Sequence, residues 1–188
     1  MTKRIIYLIS GVLIIAGGFV LLSQFLDLSP RIPTAAIETD PSLSKPIKIK
    51  IPSINVDAAV GELGLNADQT IEVPKNVSEV GWYKYSPSPG YIGPAVMVGH
   101  KDAITGRAVF YDLNKVKIGD EIVIDREDGS TTTFKVESIE TYKQDQFPTE
   151  KVYGSLSYPG LRLITCSGTY SALKGRYSDN LVVYATLQ

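Results

Sequence analysis

From Pro46 onward, apolar and polar positions alternate in short runs broken by Gly and Pro. Ile47-Lys48-Ile49-Lys50-Ile51 alternates without a fault, one face in and one face out, which predicts a half-buried β-strand. Shorter β-type pieces follow at Asp57–Val60, Thr70–Val73 and Val80–Tyr83. Ala95–His100 is continuously apolar, and Leu161–Cys166 alternates and then runs apolar, and both predict buried strands. Glu121–Asp125 and Thr131–Ile139 flank Asp128-Gly129, a strong hairpin-turn signal, and Leu181–Leu187 predicts the last strand. Tyr85–Gly90, Lys101–Gly106 and Ser167–Asn180 read as loops. Phe110-Tyr111-Asp112-Leu113 predicts a short helical turn, and Gln144–Gly154 a long connection with at most one turn of helix. Many short strands with almost no helical periodicity predict an all-β fold, a closed or nearly closed barrel over residues 46–188.

The first quarter of the chain has a different pattern. After Met1-Thr2-Lys3-Arg4, the run Ile5–Leu26 carries no charge and is long enough to cross a ~30 Å hydrocarbon layer as a helix. Lys3 and Arg4 would keep residues 1–4 in the cytoplasm and place the rest outside the cell. A cleaved signal peptide is the rival, with a shorter apolar region and a small-x-small site, but no clear Ala-x-Ala follows the run. A single-pass anchor over 5–26 is therefore expected. Residues 27–45, with Pro30, Pro33 and Pro41 among Ser, Thr and Asp, are expected to form an extended tether.

Composition removes several functions. Lys and Arg total 19 against 20 Asp and Glu, so no basic face for nucleic acid is implied. There is one Cys and one His, which rules out an internal disulfide and leaves too few soft ligands for zinc. Glu121, Asp125, Glu127 and Asp128 cluster at one hairpin, where a solvated face is the expectation rather than a Ca²⁺ site. No metal or cofactor is expected.

The single Cys and the single His each end a predicted buried strand, at Cys166 and His100. A nucleophile and its proton-transfer partner, each fixed on a rigid element, would have this arrangement. An unpaired thiol outside the cell is a liability unless it is used. The alternative is an inert buried Cys. Attack on an amide also needs a donor for the oxyanion. Arg176 and Asn180, just before the last strand, are the candidates.

The motifs around these residues resemble the sortases, membrane-anchored transpeptidases of monoderm bacterial surfaces. Leu163-Ile164-Thr165-Cys166 is similar to that family's (T/L)-x-T-C strand end, and Val98-Gly99-His100-Lys101-Asp102 to its histidine loop. Phe110-Tyr111-Asp112-Leu113, Gly119-Asp120-Glu121-Ile122, Phe147-Pro148-Thr149, Val152-Tyr153-Gly154 and the stretch Asp179–Ala185 resemble the branch called class F or class E-like. The resemblance covers about Pro46 to Gln188. It implies an eight-stranded β-barrel with short helical turns behind an N-terminal transmembrane helix. It also implies cleavage of a C-terminal Leu-Pro-x-Thr-Gly-like sorting signal between Thr and Gly, through a Cys thioester. The partners implied are surface proteins bearing that signal and an amine acceptor, such as a peptidoglycan precursor or a pilin lysine.

By resemblance Cys166 is the nucleophile and His100 the general acid/base. The family's third residue is an Arg near the start of the final strand. Arg176 is the only Arg in that region, but four residues separate it from the apolar run Leu181–Ala185, where Asn180 falls closer. Arg176 is preferred because a guanidinium is always charged, and Asn180 is the rival as a neutral amide donor. Asp102 is expected either to orient His100 or to cap its loop. Thr165 is expected to bind substrate backbone or to close the sheet. Two other readings stay open: a hydrolase-only cysteine peptidase, and a membrane-tethered binding module in which Cys166 and His100 are core residues. An L,D-transpeptidase is disfavoured, because its His closely precedes its Cys.

Overall fold

The structure, a computed structural model, describes residues 44–104 and 106–188. The expected anchor and nearly all of the expected tether lie outside the described residues. Among the described residues, no helix is long and apolar enough to cross a membrane.

In chain order the strands are β1 (Pro46–Ile51), β2 (Val56–Leu63), β3 (Val80–Tyr83) and β4 (Gly93–Gly99). A small ribbon follows, β5 (Asp102–Ala103) with β6 (Gly106–Arg107). Then come β7 (Glu121–Arg126), β8 (Thr131–Lys143), the short helix α1 (Thr149–Tyr153), β9 (Pro159–Ser171) and β10 (Arg176–Leu187). Eight of these close a barrel in the order β1-β2-β3-β4-β9-β10-β8-β7; the hydrophobic pattern predicted the barrel, and the resemblance implied its eight strands. The 3₁₀ turn Leu113–Lys115 begins at the last residue of the turn expected at 110–113, and the expected connection 144–154 holds a 3₁₀ turn at Gln144–Gln146 as well as α1, more than the single turn expected.

Three expected elements differ. The expected loop Lys101–Gly106 holds β5 and the start of β6. Thr70–Val73 is no barrel strand; Ile71 makes only an isolated bridge to Leu65. Ser167–Asn180 is not a loop. β9 runs five residues past Cys166 and β10 starts at Arg176, so the two form a hairpin standing out from the barrel.

The interior is apolar and fully enclosed, with Ile49, Met97, Phe110, Ile122, Phe134 and Leu163 each completely buried. At about 1.5–3 kcal/mol for each such side chain, this core is the main source of stability. β4, β9 and β10 are apolar on their outer faces as well. There Val96, Ile164, Val182 and Tyr184 pack under Val152 of α1 in a second cluster. Two buried faces explain why β4 and the Leu181–Ala185 stretch of β10 read as continuous apolar runs, while in β9 the buried Arg162 interrupts the run and stacks on the Tyr184 ring.

The pairing of β4 with β9 is parallel, with Val98 beside Ile164. Parallel neighbours leave the sheet at the same edge. His100 lies two residues beyond Val98, and Cys166 two beyond Ile164. Two residues far apart in sequence are therefore brought to one rim.

Candidate active site

That rim opens into a groove of about 640 Å³ lined by His100, Cys166, Arg176 and Asn180. Its remaining wall is largely apolar, with Leu65, Ile71, Val73, Tyr83, Val98, Phe147, Tyr153 and Ile164. The loop between β2 and β3 supplies one side, and the α1 region supplies the other.

Cys166 is exposed, the first open position after six buried residues of β9. Enough protein still crowds the sulfur for burial to push its pKa up. The Asp102 carboxylate pushes in the same direction, and the Lys101 ammonium opposes it. The resting thiol is thus protonated at neutral pH, and attack needs a base that takes the proton as the bond forms.

His100 is half-buried. Its Nε2 lies 2.8 Å from the Pro74 carbonyl oxygen. A carbonyl only accepts, so Nε2 carries a hydrogen and donates it. In the neutral ring the free lone pair is then on Nδ1. The His100 carbonyl accepts from the Phe110 amide at 2.9 Å, and Phe110 packs under Gly99. The residue is held from both sides.

Asn180 is the direct cross-strand partner of Cys166, while Arg176 pairs with Ser171 near the tip of the hairpin. Both side chains reach the groove wall. Between them the ladder shifts register, with Gly168 in a left-handed conformation (φ 73°). A side chain at Gly168 would also collide with Ser178 and Asp179.

Thr165 is buried and donates its hydroxyl to the Gly99 carbonyl at 2.8 Å, so it ties β9 to β4 directly below both candidate catalytic residues. Of the two readings offered for Thr165, closing the sheet is the one its hydroxyl bond serves. Asp102 accepts a short hydrogen bond from the Tyr177 hydroxyl, and Lys101 stands over the Tyr177 ring at 4.6 Å. The carboxylate thus fastens the histidine loop to β10 instead of capping its own turn. That bond to Asp102 pushes the Tyr177 hydroxyl up to about 12, so it stays a donor.

Tyr177 and the Pro74 carbonyl were not found from sequence, and Lys101 was seen only within the histidine-loop motif. Tyr177 sits between Arg176 and Asn180 in a stretch without periodicity, and a backbone carbonyl leaves no mark in a sequence. Tyr153 was seen only as part of a motif. In the structure it walls the groove, where burial and then Tyr83 push its hydroxyl up to about 12.

A family model described as the sortase domain matches residues 49–188. The chain belongs to the sortase family. Its fold is similar to that of sortase C1 of GBS pilus island 1, with TM-score 0.58 and 25% identity over 75% of this chain and 64% of that one. Sortase C-1 from Actinomyces oris gives 0.58 and 26% over 75% of this chain and 72% of that one. Sortase A from Corynebacterium diphtheriae, at 23% identity, shares the fold, with TM-score 0.59 over 77% of this chain and 61% of that one. This sortase chain therefore spans less than two thirds of the first and third of these structures, 64% and 61% of their lengths. No curated protein sequence matches it significantly.

Proposed function

We propose that this protein is a cysteine transpeptidase that cleaves a Leu-Pro-x-Thr-Gly-like sorting signal and passes the acyl chain to an amine of the cell envelope. The observation that carries this reading is the parallel β4–β9 pair, which delivers His100 and Cys166 to one end of one apolar groove. The Cys166 sulfur attacks the Thr carbonyl carbon while its proton passes to His100 Nδ1. The Asn180 amide, beside the thiol, donates to the oxyanion, with Arg176 farther out as a second, charged donor. Collapse breaks the C–N bond, and His100 returns the proton to the leaving amine. The resulting thioester is attacked by an acceptor amine. That amine's proton passes to His100, the carbon–sulfur bond breaks, and the sulfur regains a proton.

We further place the chain in the class F or class E-like branch, on the motifs around Phe147 and Val152. It would be held at the cell membrane by residues 5–26, N-terminus inside and barrel outside. Surface proteins bearing the signal, and a peptidoglycan precursor or pilin lysine, would be its partners.

Incubation with a Leu-Pro-Ala-Thr-Gly peptide and triglycine tests the chemistry by mass spectrometry. A ligated product is expected from the wild type and none from Cys166→Ala or His100→Ala. Cleavage by Cys166→Ala at the wild-type rate would end this reading, and water-only products would reduce it to a hydrolase. The binding-module reading requires a thiol that resists alkylation in the folded protein, which the exposure of Cys166 disfavours.

A further inference from the structure

We infer that the groove continues past Tyr83 and Tyr153 into a second apolar subsite, which takes the side chain of a residue just upstream of the sorting motif in the same substrate chain. This rests on the transpeptidase reading above.

Tyr83 and Tyr153 line both the main groove and a neighbouring cavity of about 270 Å³. That cavity is walled by Tyr85, Pro87, Ile92, Pro94, Val96 and Leu156, with Ser86 and Ser155 as polar side chains and no charged side chain among its described lining residues. Tyr85 and Ile92 are large apolar residues left 66% and 69% exposed. The wall is preformed. The Trp82 indole donates to the Pro87 carbonyl at 3.2 Å, and the Ser86 hydroxyl bridges the Tyr83 carbonyl (2.7 Å) and the Val96 amide (3.1 Å).

β4 serves as a ruler for the length. Positions 94, 96, 98 and 100 share one face of the strand. Pro94 and Val96 line the second cavity, and Val98 and His100 the main groove. From His100 back to Pro94 is about 20 Å at ~3.3 Å per residue. An extended Leu-Pro-x-Thr segment with its Thr at Cys166 covers about 13 Å of this. The next two upstream residues cover the remaining distance.

The opposite direction does not suit an apolar segment. Beyond Arg176 the surface is lined by Lys143, Asp145, Lys174 and Asp179. The uncharged lining of the second cavity selects an aromatic or aliphatic side chain and disfavours a carboxylate, which would lose hydration without a partner.

Steady-state cleavage of three peptides tests this: Leu-Pro-Ala-Thr-Gly alone, and the same peptide preceded by Phe-Gly or by Gly-Gly. The Phe-Gly peptide is expected to show a kcat/KM about tenfold above the Gly-Gly peptide, the scale of filling one apolar subsite. Tyr85→Ala and Ile92→Ser should each remove most of that preference and leave the unextended peptide unchanged. Equal rates for the two extended peptides, or a preference that survives both substitutions, overturns the subsite while the transpeptidase stands. If the wild type cleaves none of the three, both readings fall.

Discussion

Asn180 stands directly across the β9–β10 ladder from Cys166, and Arg176 stands four residues farther out, opposite Ser171. Directly opposed residues of an antiparallel pair share a face, with Cβ atoms ~5 Å apart. Four residues of strand are ~13 Å. The register therefore puts the neutral amide beside the thiol and the fixed charge toward the mouth. Asn180→Ala is expected to lower kcat by about 10²–10³, the range for losing one oxyanion donor, with KM little changed. Arg176→Ala is expected to cost less than about tenfold in kcat and to act mainly on KM. Steady-state kinetics of the two variants checks this, and the reverse ranking would return the oxyanion role to Arg176.

The two charged residues that follow His100 tune the ionisation of the thiol. Asp102 raises the Cys166 pKa and Lys101 lowers it, on top of the larger effect of burial. Removing the negative neighbour favours the thiolate, so Asp102→Asn should shift the pH profile of Cys166 alkylation downward. Lys101→Met should shift it upward. Each shift should be under about one pH unit, because both groups are only half-buried and water screens them. Iodoacetamide rates between pH 6 and 10 measure it. No downward movement in Asp102→Asn would remove the carboxylate from the account.

Much of this architecture was legible because it is written in one-sided burial. In β1, Ile49 and Ile51 face the core while Lys48 and Lys50 point toward water, although Ile47 at its start is 49% exposed, and Ala95–Val98 runs apolar because α1 covers its outer face. Cys166 and His100 stood out as the only residues of their kinds, each at the end of such a run. The hairpin Ser167–Asn180 was misread for the converse reason. Its strands project beyond the barrel and most of their positions are open, so no alternation records them. The Tyr170–Tyr177 cross-strand pair holds this ribbon, with ring centroids 5.3 Å apart, but two tyrosines in a polar stretch do not announce a strand. The parallel pairing of β4 and β9 could not be read either, because hydrophobic pattern gives a strand's faces and not its neighbour.

Acid should loosen the wall of the groove. Glu140 on β8 accepts from Lys151 of α1 at 2.7 Å and from the Tyr142 hydroxyl at 2.5 Å. The Lys151 bond first, then the Tyr142 bond, hold its pKa below the ordinary value of 4.5. A depressed carboxylate stabilises the fold above its unfolded pKa, and that contribution is lost as pH falls through the folded value. Glu140→Gln should therefore lower stability near pH 7 by less than about 1 kcal/mol, because the pair is partly exposed. The difference from wild type should narrow steadily as pH falls below 4.5. Urea melts across a pH series from 7 downward test it, and a gap that does not narrow with acid would mean that the charge is not the cause.

Gly99 is required by space. A Cβ there would lie 2.5 Å from Phe110 Cδ2, and Phe110 is completely buried. Gly99→Ala must push the ring or the strand end, at a cost of about 1–3 kcal/mol for overpacking. Because the Phe110 amide donates to the His100 carbonyl, the displacement reaches His100. A loss of kcat of about tenfold or more is expected at temperatures where the variant remains folded by circular dichroism. Gly99→Ala combined with Phe110→Leu should recover part of it, and no recovery would count against the steric explanation.

Thr165 offers the sharpest separation of structural from substrate-binding roles. Its buried hydroxyl donates to the Gly99 carbonyl and so joins the two strand ends that carry Cys166 and His100. Thr165→Val keeps the shape but leaves that carbonyl without its donor, a loss of about 1–3 kcal/mol for a buried group. Thr165→Ser keeps the donor and loses one methyl group, so it should cost less. If the hydroxyl acts by holding the strand ends together, kcat and stability fall together in Thr165→Val and both return in Thr165→Ser. If instead it binds substrate backbone, KM rises in Thr165→Val while its melting temperature stays at the wild-type value. Thermal melts run beside steady-state kinetics on the two variants distinguish these outcomes, and the Gly99 bond favours the first.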